Sequence, residues 1–202
     1  MSDEKWKVLS TKELLKSSFF CLREDRCELP DKRVMPRYYV MDFPEWVNIV
    51  PVTLDKKVLL IRQYRHAAGE HMVEIPGGTT DPKPAADGAV DINDKGVTWG
   101  NEDILDAAKR ELLEETGYES QNWRYLGYHF PNPALQSNRM HTFLALDCKK
   151  VAELNLDPFE EIEVMPVSIE ECIEIFQQGK IQHSIVAASL AMALQDLETL
   201  NS

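Results

Sequence analysis

Apolar residues change their spacing several times along this chain, and each change marks an element. Residues 33 to 43, RVMPRYYVMDF, carry aromatic and β-branched side chains in an extended pattern interrupted by Pro36. VNIVPVT (47–53) and KVLLIRQY (57–64) read as two strands joined by the polar LDK, a hairpin whose second strand is too apolar to face water on both sides. HMVEIPGG (71–78) predicts a short strand broken at Pro76, Gly77 and Gly78. From Glu102 to Thr116 the period becomes helical. Ile104, Ala108 and Leu112 recur every four residues, Asn101 stands where a cap would, and Gly117 supplies the stop.

WRYLGYHF (123–130) and MHTFLALDC (140–148) predict two more strands, linked by PNPALQSNR. An acidic loop, LNLDPFEE (154–161), leads into the strand IEVMPV. A serine-capped helix over 168–180 stops at Gly179, and an apolar helix over 184–199 packs on the body. Strands and helices in this order give an α+β domain with a mixed sheet. Residues 1–45 form a candidate N-terminal β-rich arm, and 46–202 the main domain. Residues 79–100, rich in Pro, Gly, Asp and Ala without periodicity, read as an inserted surface loop.

Composition narrows the function. The 202 residues carry a net charge of −12, which argues against nonspecific binding to nucleic acid or to anionic membrane. No apolar run reaches the roughly 20 residues of a membrane span, and the N-terminus lacks a signal-peptide pattern. Cys21, Cys27, Cys148 and Cys172 are scattered, without a C-x-x-C pair, as expected of reduced structural thiols in a cytoplasmic protein.

The helix at 102–116 carries the chemistry. Glu111, Glu114 and Glu115 stand at i, i+3 and i+4, in the last turns before Gly117. The negative end of the helix dipole disfavours them there, and like charges four apart cost about 0.2–0.5 kcal/mol. A cluster held against those penalties suits a hard cation, Mg²⁺ or Mn²⁺, completed by substrate phosphates. Arg110, four before Glu114, can hold that carboxylate. A solvated acidic helix face is the other reading of the same three residues.

Glu102, Arg110-Glu111-Leu112, Glu114-Glu115 and Gly117-Tyr118 also have the spacing of the Nudix box, and this stretch resembles that of Nudix hydrolases. The box opens on a glycine six residues before its first glutamate, a count that Gly96 meets. The flanking GEHMVEIPGG, similar to the strand and turn before the box in ADP-ribose and nucleotide-sugar pyrophosphatases, favours Gly78 instead, with 18 extra residues splitting the box. The resemblance covers roughly residues 35 to 195, VLLIRQYRHAAGE and FEEIEV with GKIQHS included. Where ADP-ribose pyrophosphatases have a proline-glycine pair and a glutamate, Pro131, Asn132, Pro133, Asn138 and Arg139 stand, closer to a nucleotide-sugar-cleaving branch.

The resemblance implies a Nudix fold, a mixed sheet between helices. It implies Mg²⁺-dependent hydrolysis of nucleoside diphosphate-linked sugars to a nucleoside monophosphate and a sugar phosphate. Glu111, Glu115 and the Gly77 carbonyl would hold the metal, with Glu114 a third ligand or an orienter. Glu160 is the first choice for the base and Glu161 the second, against a plain solvated loop acid. Arg65 is the candidate phosphate contact, on the opposite strand face from Arg62. Arg139 is the second candidate, its alternative a surface ion pair. Trp46 is offered for stacking on a base, against a place in the core or an interface. A homodimer built through the N-terminal strands is expected from the resemblance alone. Dinucleotides or nucleoside triphosphates are alternative substrates, and a non-catalytic ligand-binding module is the rival class.

Overall fold

The computed structural model describes residues 4–80, 91–93, 96–98, 102–156 and 158–202. In chain order the elements begin with β1 (Lys7–Lys16), β2 (Cys21–Glu28), β3 (Val34–Asp42), β4 (Trp46–Thr53), β5 (Lys57–Arg65), β6 (Glu70–Glu74) and β7 (Gly77–Thr79). Next come β8 (Asp91–Asn93), β9 (Gly96–Thr98), α1 (Ile104–Thr116), β10 (Tyr118–Glu119), β11 (Asn122–His129) and β12 (Met140–Lys150). The chain closes with β13 (Ile162–Ser168), α2 (Ile169–Gln177) and α3 (Ser184–Asn201). They fall into two compact units, one of Met1–Pro44, Asp81–Asn101 and Phe130–Arg139, the other of Glu45–Thr80, Glu102–His129 and Met140–Ser202.

In the first unit, β1, β2 and β3 form an antiparallel sheet in that order. Pro36 does not interrupt β3, because β3 lies on the sheet edge, where one side of the strand needs no ladder donor. Arg23 on the central strand bridges two buried acids, Asp25 and Asp42, donating from Nε to Asp42 Oδ2 at 2.6 Å. A buried anion without such a partner would be costly. Much of the predicted loop, residues 81–90, 94–95 and 99–100, lies outside the described residues, while β8 and β9 form a two-stranded antiparallel pair.

The second unit is a mixed eight-stranded sheet. Its spine runs β10-β12-β4-β5-β13, with β11 beside β12, β6 beside β5 and β7 beside β4. Only β12 and β4 run parallel among the pairings of this sheet. Side chains on β4 alternate between faces, as the two-residue strand period requires. Val47 and Ile49 pack with Ala107, Ala108 and Leu112 of α1, while Val50 and Val52 join Val186, Leu190, Ala193 and Leu197 of α3. A central strand apolar on both faces therefore has a helix on each, the sandwich expected of a Nudix fold.

The predicted cap of α1 needs correction. Asn101 lies outside the described residues, and the cap is Asp103, whose Oδ1 accepts from the Leu105 N–H at 2.9 Å. The helix thus begins at Ile104, and Glu102 stays outside it, able to turn back toward Arg110. Gly117 ends the helix at φ 74°, where a Cβ would stand 2.1 Å from the Ala152 carbonyl oxygen. Ser168 caps α2 as expected, accepting from the Glu171 N–H. Among the described residues, no helix is long and apolar enough to cross a membrane.

Candidate active site

Strand register delivers the glycine turn to the acidic helix. In β7, Gly77 lies opposite Asn48 and Gly78 opposite Val47, and the Ile49 N–H donates to the Pro76 carbonyl at 2.9 Å. Leu112, Ala107 and Ala108 anchor α1 beneath this turn, fully buried. Glu111 and Glu115 share the buried side of the helix with these residues, and there they face the turn. The Gly77 N–H donates to Glu115 Oε2 at 2.8 Å. A Cβ on Gly78 would stand 2.3 Å from Glu111 Oε1, closer than any side chain tolerates. The choice of Gly78 over Gly96 as the box glycine has its physical reason there: only a hydrogen fits between that backbone and Glu111.

Arg110 organises the acids. Among the described residues, its guanidinium donates five hydrogen bonds. Two go to Glu102, at 3.1 and 2.9 Å, one each to Glu111 Oε1 at 2.8 Å and Glu114 Oε2 at 3.1 Å, and one to the Thr79 carbonyl at 3.0 Å. The Glu102 bonds, foremost, hold its proton more tightly than in a free arginine.

Burial makes the two inner carboxylates reluctant anions. Glu111 is pushed up to about 7, by desolvation first, with Glu114 and Glu160 adding repulsion and Arg110 opposing. Glu115, only 3% exposed, is raised well above the usual range by burial and then by the charge of Glu111, against the Gly77 N–H. Two acids in mutual repulsion are what an added cation relieves. Among the described residues, no three His, Cys, Asp or Glu side chains converge as a ready-made metal cage. Mg²⁺ needs none, since it keeps waters and takes one or two carboxylates together with substrate phosphates. The donor set is all oxygen, and Glu111 Oε2 and Glu115 Oε1 receive no hydrogen bond among the described residues. These residues fit a hard divalent cation.

Other predicted residues sort themselves around that pair. Glu160 is exposed, and its charge reaches Glu111, Glu115 and Arg65. Glu114 is the more exposed member of the triad and leans on Arg110. Arg65 meets Glu74 through Nε at 3.0 Å and Nη2 at 2.5 Å, while Arg62, on the other face, pairs with Glu163 at 3.5 Å. Trp46 donates its indole N–H to Asn48 Oδ1 at 2.8 Å. Arg139 belongs to the first unit, at the end of segment Phe130–Arg139.

Glu74 is the residue that sequence reading missed. It is 1% exposed and accepts from Gln63, Arg65 and His183. Its signal was an acid in an otherwise apolar run, VEIP, just before the turn.

Fold and site together define the class. A Nudix domain model matches residues 43–187, and a nucleoside diphosphate sugar hydrolase N-terminal domain model matches residues 6–40. The chain belongs to the Nudix family and is a Nudix hydrolase. It is similar to the methanol dehydrogenase activator of Bacillus methanolicus, 26% identical over 88% of this chain and 86% of that protein. It is similar as well to the ADP-ribose pyrophosphatase of Bacillus subtilis, 25% identical over 95% of this chain and 92% of the relative. A crystal structure of an ADP compounds hydrolase shares the fold, with a TM-score of 0.77 at 20% identity over 99% of this chain and 98% of that one.

Gly78→Ala tests the close approach. The atom in the way is the end of a flexible side chain, so the Glu111 carboxylate moves rather than the fold. Turnover is expected to fall roughly 100-fold, the cost of a displacement on the order of 1 Å in a reacting group. Thermal denaturation of the same variant should show a stability change below about 1 kcal/mol.

Proposed function

We propose that this Nudix hydrolase cleaves the pyrophosphate bond of nucleoside diphosphate-linked sugars, ADP-ribose among them, in a Mg²⁺-dependent reaction. Water adds across the P–O–P bridge and yields a nucleoside monophosphate and a sugar phosphate. The observation that carries this reading is the pair of buried carboxylates, Glu111 and Glu115, locked against the backbone of Gly77 and Gly78. The match of residues 6–40 to a nucleoside diphosphate sugar hydrolase domain and the likeness to a protein named ADP-ribose pyrophosphatase support the substrate class.

Glu111 and Glu115, with the Gly77 carbonyl, are the groups that would hold Mg²⁺. When bound, that ion neutralises diphosphate charge and makes water more acidic. Arg65 presents its planar guanidinium to phosphate oxygens. Glu160, or Glu161 beside it, takes the proton of the attacking water at its carboxylate. Glu114 and Arg110 keep the Glu111 carboxylate in its orientation. Trp46 has its indole nitrogen committed to Asn48, so its contact with a base is through the ring face.

Incubation with ADP-ribose, GDP-mannose, UDP-glucose, a dinucleotide and a nucleoside triphosphate, with millimolar Mg²⁺, tests the reading. Release of nucleoside monophosphate from a sugar conjugate is the expected result, lost on chelation. Turnover of the dinucleotide or triphosphate alone would change the substrate class, and none at all would make the chain a ligand-binding module.

The protein acts as a homodimer in a reducing cytoplasm in this reading. All ten residues of β1 are exposed, Val8, Leu14 and Leu15 among them, and Phe19 follows at 74% exposure. Apolar surface of that kind on an edge strand invites a second copy. Cys21, Cys27, Cys148 and Cys172 are free and buried. Light scattering should report twice the chain mass of 23.1 kDa, and a particle of 23.1 kDa would refute the dimer.

A further inference from the structure

Glu74 sits at the end of β6, one residue before Ile75 and Pro76 enter the glycine turn, with its side chain 2% exposed. Its two oxygens collect four hydrogen bonds. Oε1 accepts from Arg65 Nε at 3.0 Å and from His183 Nδ1 at 2.9 Å, and Oε2 from Arg65 Nη2 at 2.5 Å and Gln63 Nε2 at 3.3 Å. A carboxylate offers about four acceptor positions, so this one is fully used. It can only accept, which places the proton of that ring on His183 Nδ1. The second claim on Arg65 comes from the site itself, through the charges of Glu115 and Glu160.

His183 enters this cluster from the opposite end of the chain, 109 residues away. It occupies the N-cap position of α3, yet its side chain makes no capping bond. Ser, Thr, Asp and Asn are the residues that serve a helix there. The imidazole is turned instead toward Glu74, at a position where capping alone would select a different side chain. Arg65 stays partly exposed while Glu74 is sealed. The buried carboxylate therefore acts as a clamp, and His183 is the group that holds Oε1 in line with Arg65 Nε.

We propose that His183 is a positioning residue that acts through Glu74 on Arg65 and fixes the direction in which that guanidinium faces the substrate diphosphate. The inference rests on the hydrolase reading for its consequence, but not for its geometry. With His183 present, both edges of the Glu74 carboxylate are tied, and Arg65 is left one orientation. Without it, Oε1 loses a donor and the carboxylate can rotate toward Gln63, carrying the guanidinium with it.

Two measurements separate this inference from the reading beneath it. The first needs no turnover: the Arg65 side-chain Nε–H resonance of the metal-free protein, assigned by its loss in Arg65→Lys. In His183→Ala it is expected to shift and broaden, and an unchanged resonance would overturn the proposal. The second is a double-mutant cycle on ADP-ribose hydrolysis with Mg²⁺. His183→Ala should raise KM by roughly tenfold, with a smaller change in kcat, the scale of losing a group that orients a direct contact. In the Arg65→Ala background the same substitution should cost less than about twofold. Equal losses in both backgrounds would show that His183 acts elsewhere. If His183→Ala does not fold, His183→Asn keeps an N–H close to the Nδ1 position, and its Arg65 resonance should match the wild type; a displaced resonance would count against the clamp. Absence of hydrolysis by the wild-type protein would refute the substrate reading, and the resonance test would still decide the role of His183.

Discussion

Glu111→Gln is expected to lower turnover about a thousandfold while leaving the fold intact. The substitution keeps the shape of the side chain and its bond from Arg110, and removes only the charge. A divalent cation contributes several kcal/mol of transition-state stabilisation, and about 4 kcal/mol corresponds to a factor of about 10³ in rate. Loss of the anion that holds it forfeits most of that. The same change at Glu114, more exposed and paired mainly with Arg110, should cost closer to tenfold. Steady-state release of nucleoside monophosphate with saturating Mg²⁺ measures both. A Glu111→Gln enzyme retaining a tenth of wild-type activity would move the chemistry away from this helix.

The metal-free protein should become less stable as pH rises from about 4.5 to about 7. In the folded chain Glu111 is pushed up to about 7, from an ordinary 4.5. Between those values the folded state binds the proton that the unfolded state has released, so folding is favoured at the acid end and loses that advantage as pH climbs. Above about 7 both states are ionised and the dependence levels off. At about 1.4 kcal/mol for each factor of ten in proton affinity, the full swing is on the order of 3 kcal/mol. Glu115, raised by burial and by Glu111, works in the same direction. Denaturant midpoints from pH 4.5 to 8 with chelator present should trace this fall. Glu111→Gln should flatten much of it and stand above the wild type at pH 8. Added Mg²⁺, which prefers the ionised carboxylates of the folded state, should restore stability at the alkaline end by mass action. A wild-type profile that rises across the window would contradict the burial of these acids.

The grouping of these acids, unlike their burial, was already displayed by local pattern. Residues at i, i+3 and i+4 share a helix face whatever surrounds them, so the proximity of Glu111, Glu114 and Glu115, and the reach of Arg110 to Glu114, follow from helical period alone. The strands of the main sheet were equally legible, because an apolar stretch such as KVLLIRQY has few places to go except between two covered faces. Helix ends were less certain. Asp103 and not Asn101 caps α1, and two candidate caps so close together in sequence differ only in which backbone N–H groups they reach.

By itself, then, the sequence determined the class of fold, the acidic helix face and the family it belongs to, all of which rest on spacings within a single element or on a long fixed pattern. The tertiary structure alone decided that the Gly77 N–H meets Glu115, 38 residues away, that Gly78 leaves no room for a side chain beside Glu111, and that Glu102 returns to Arg110. It alone brought His183 to Glu74 and Glu74 to Arg65. Those contacts depend on strand register and on how helices lie across a sheet. A one-residue slip in β7 would set different residues opposite Val47 and Asn48, and nothing in the local period of VEIPGG or GKIQHS records which partner waits there.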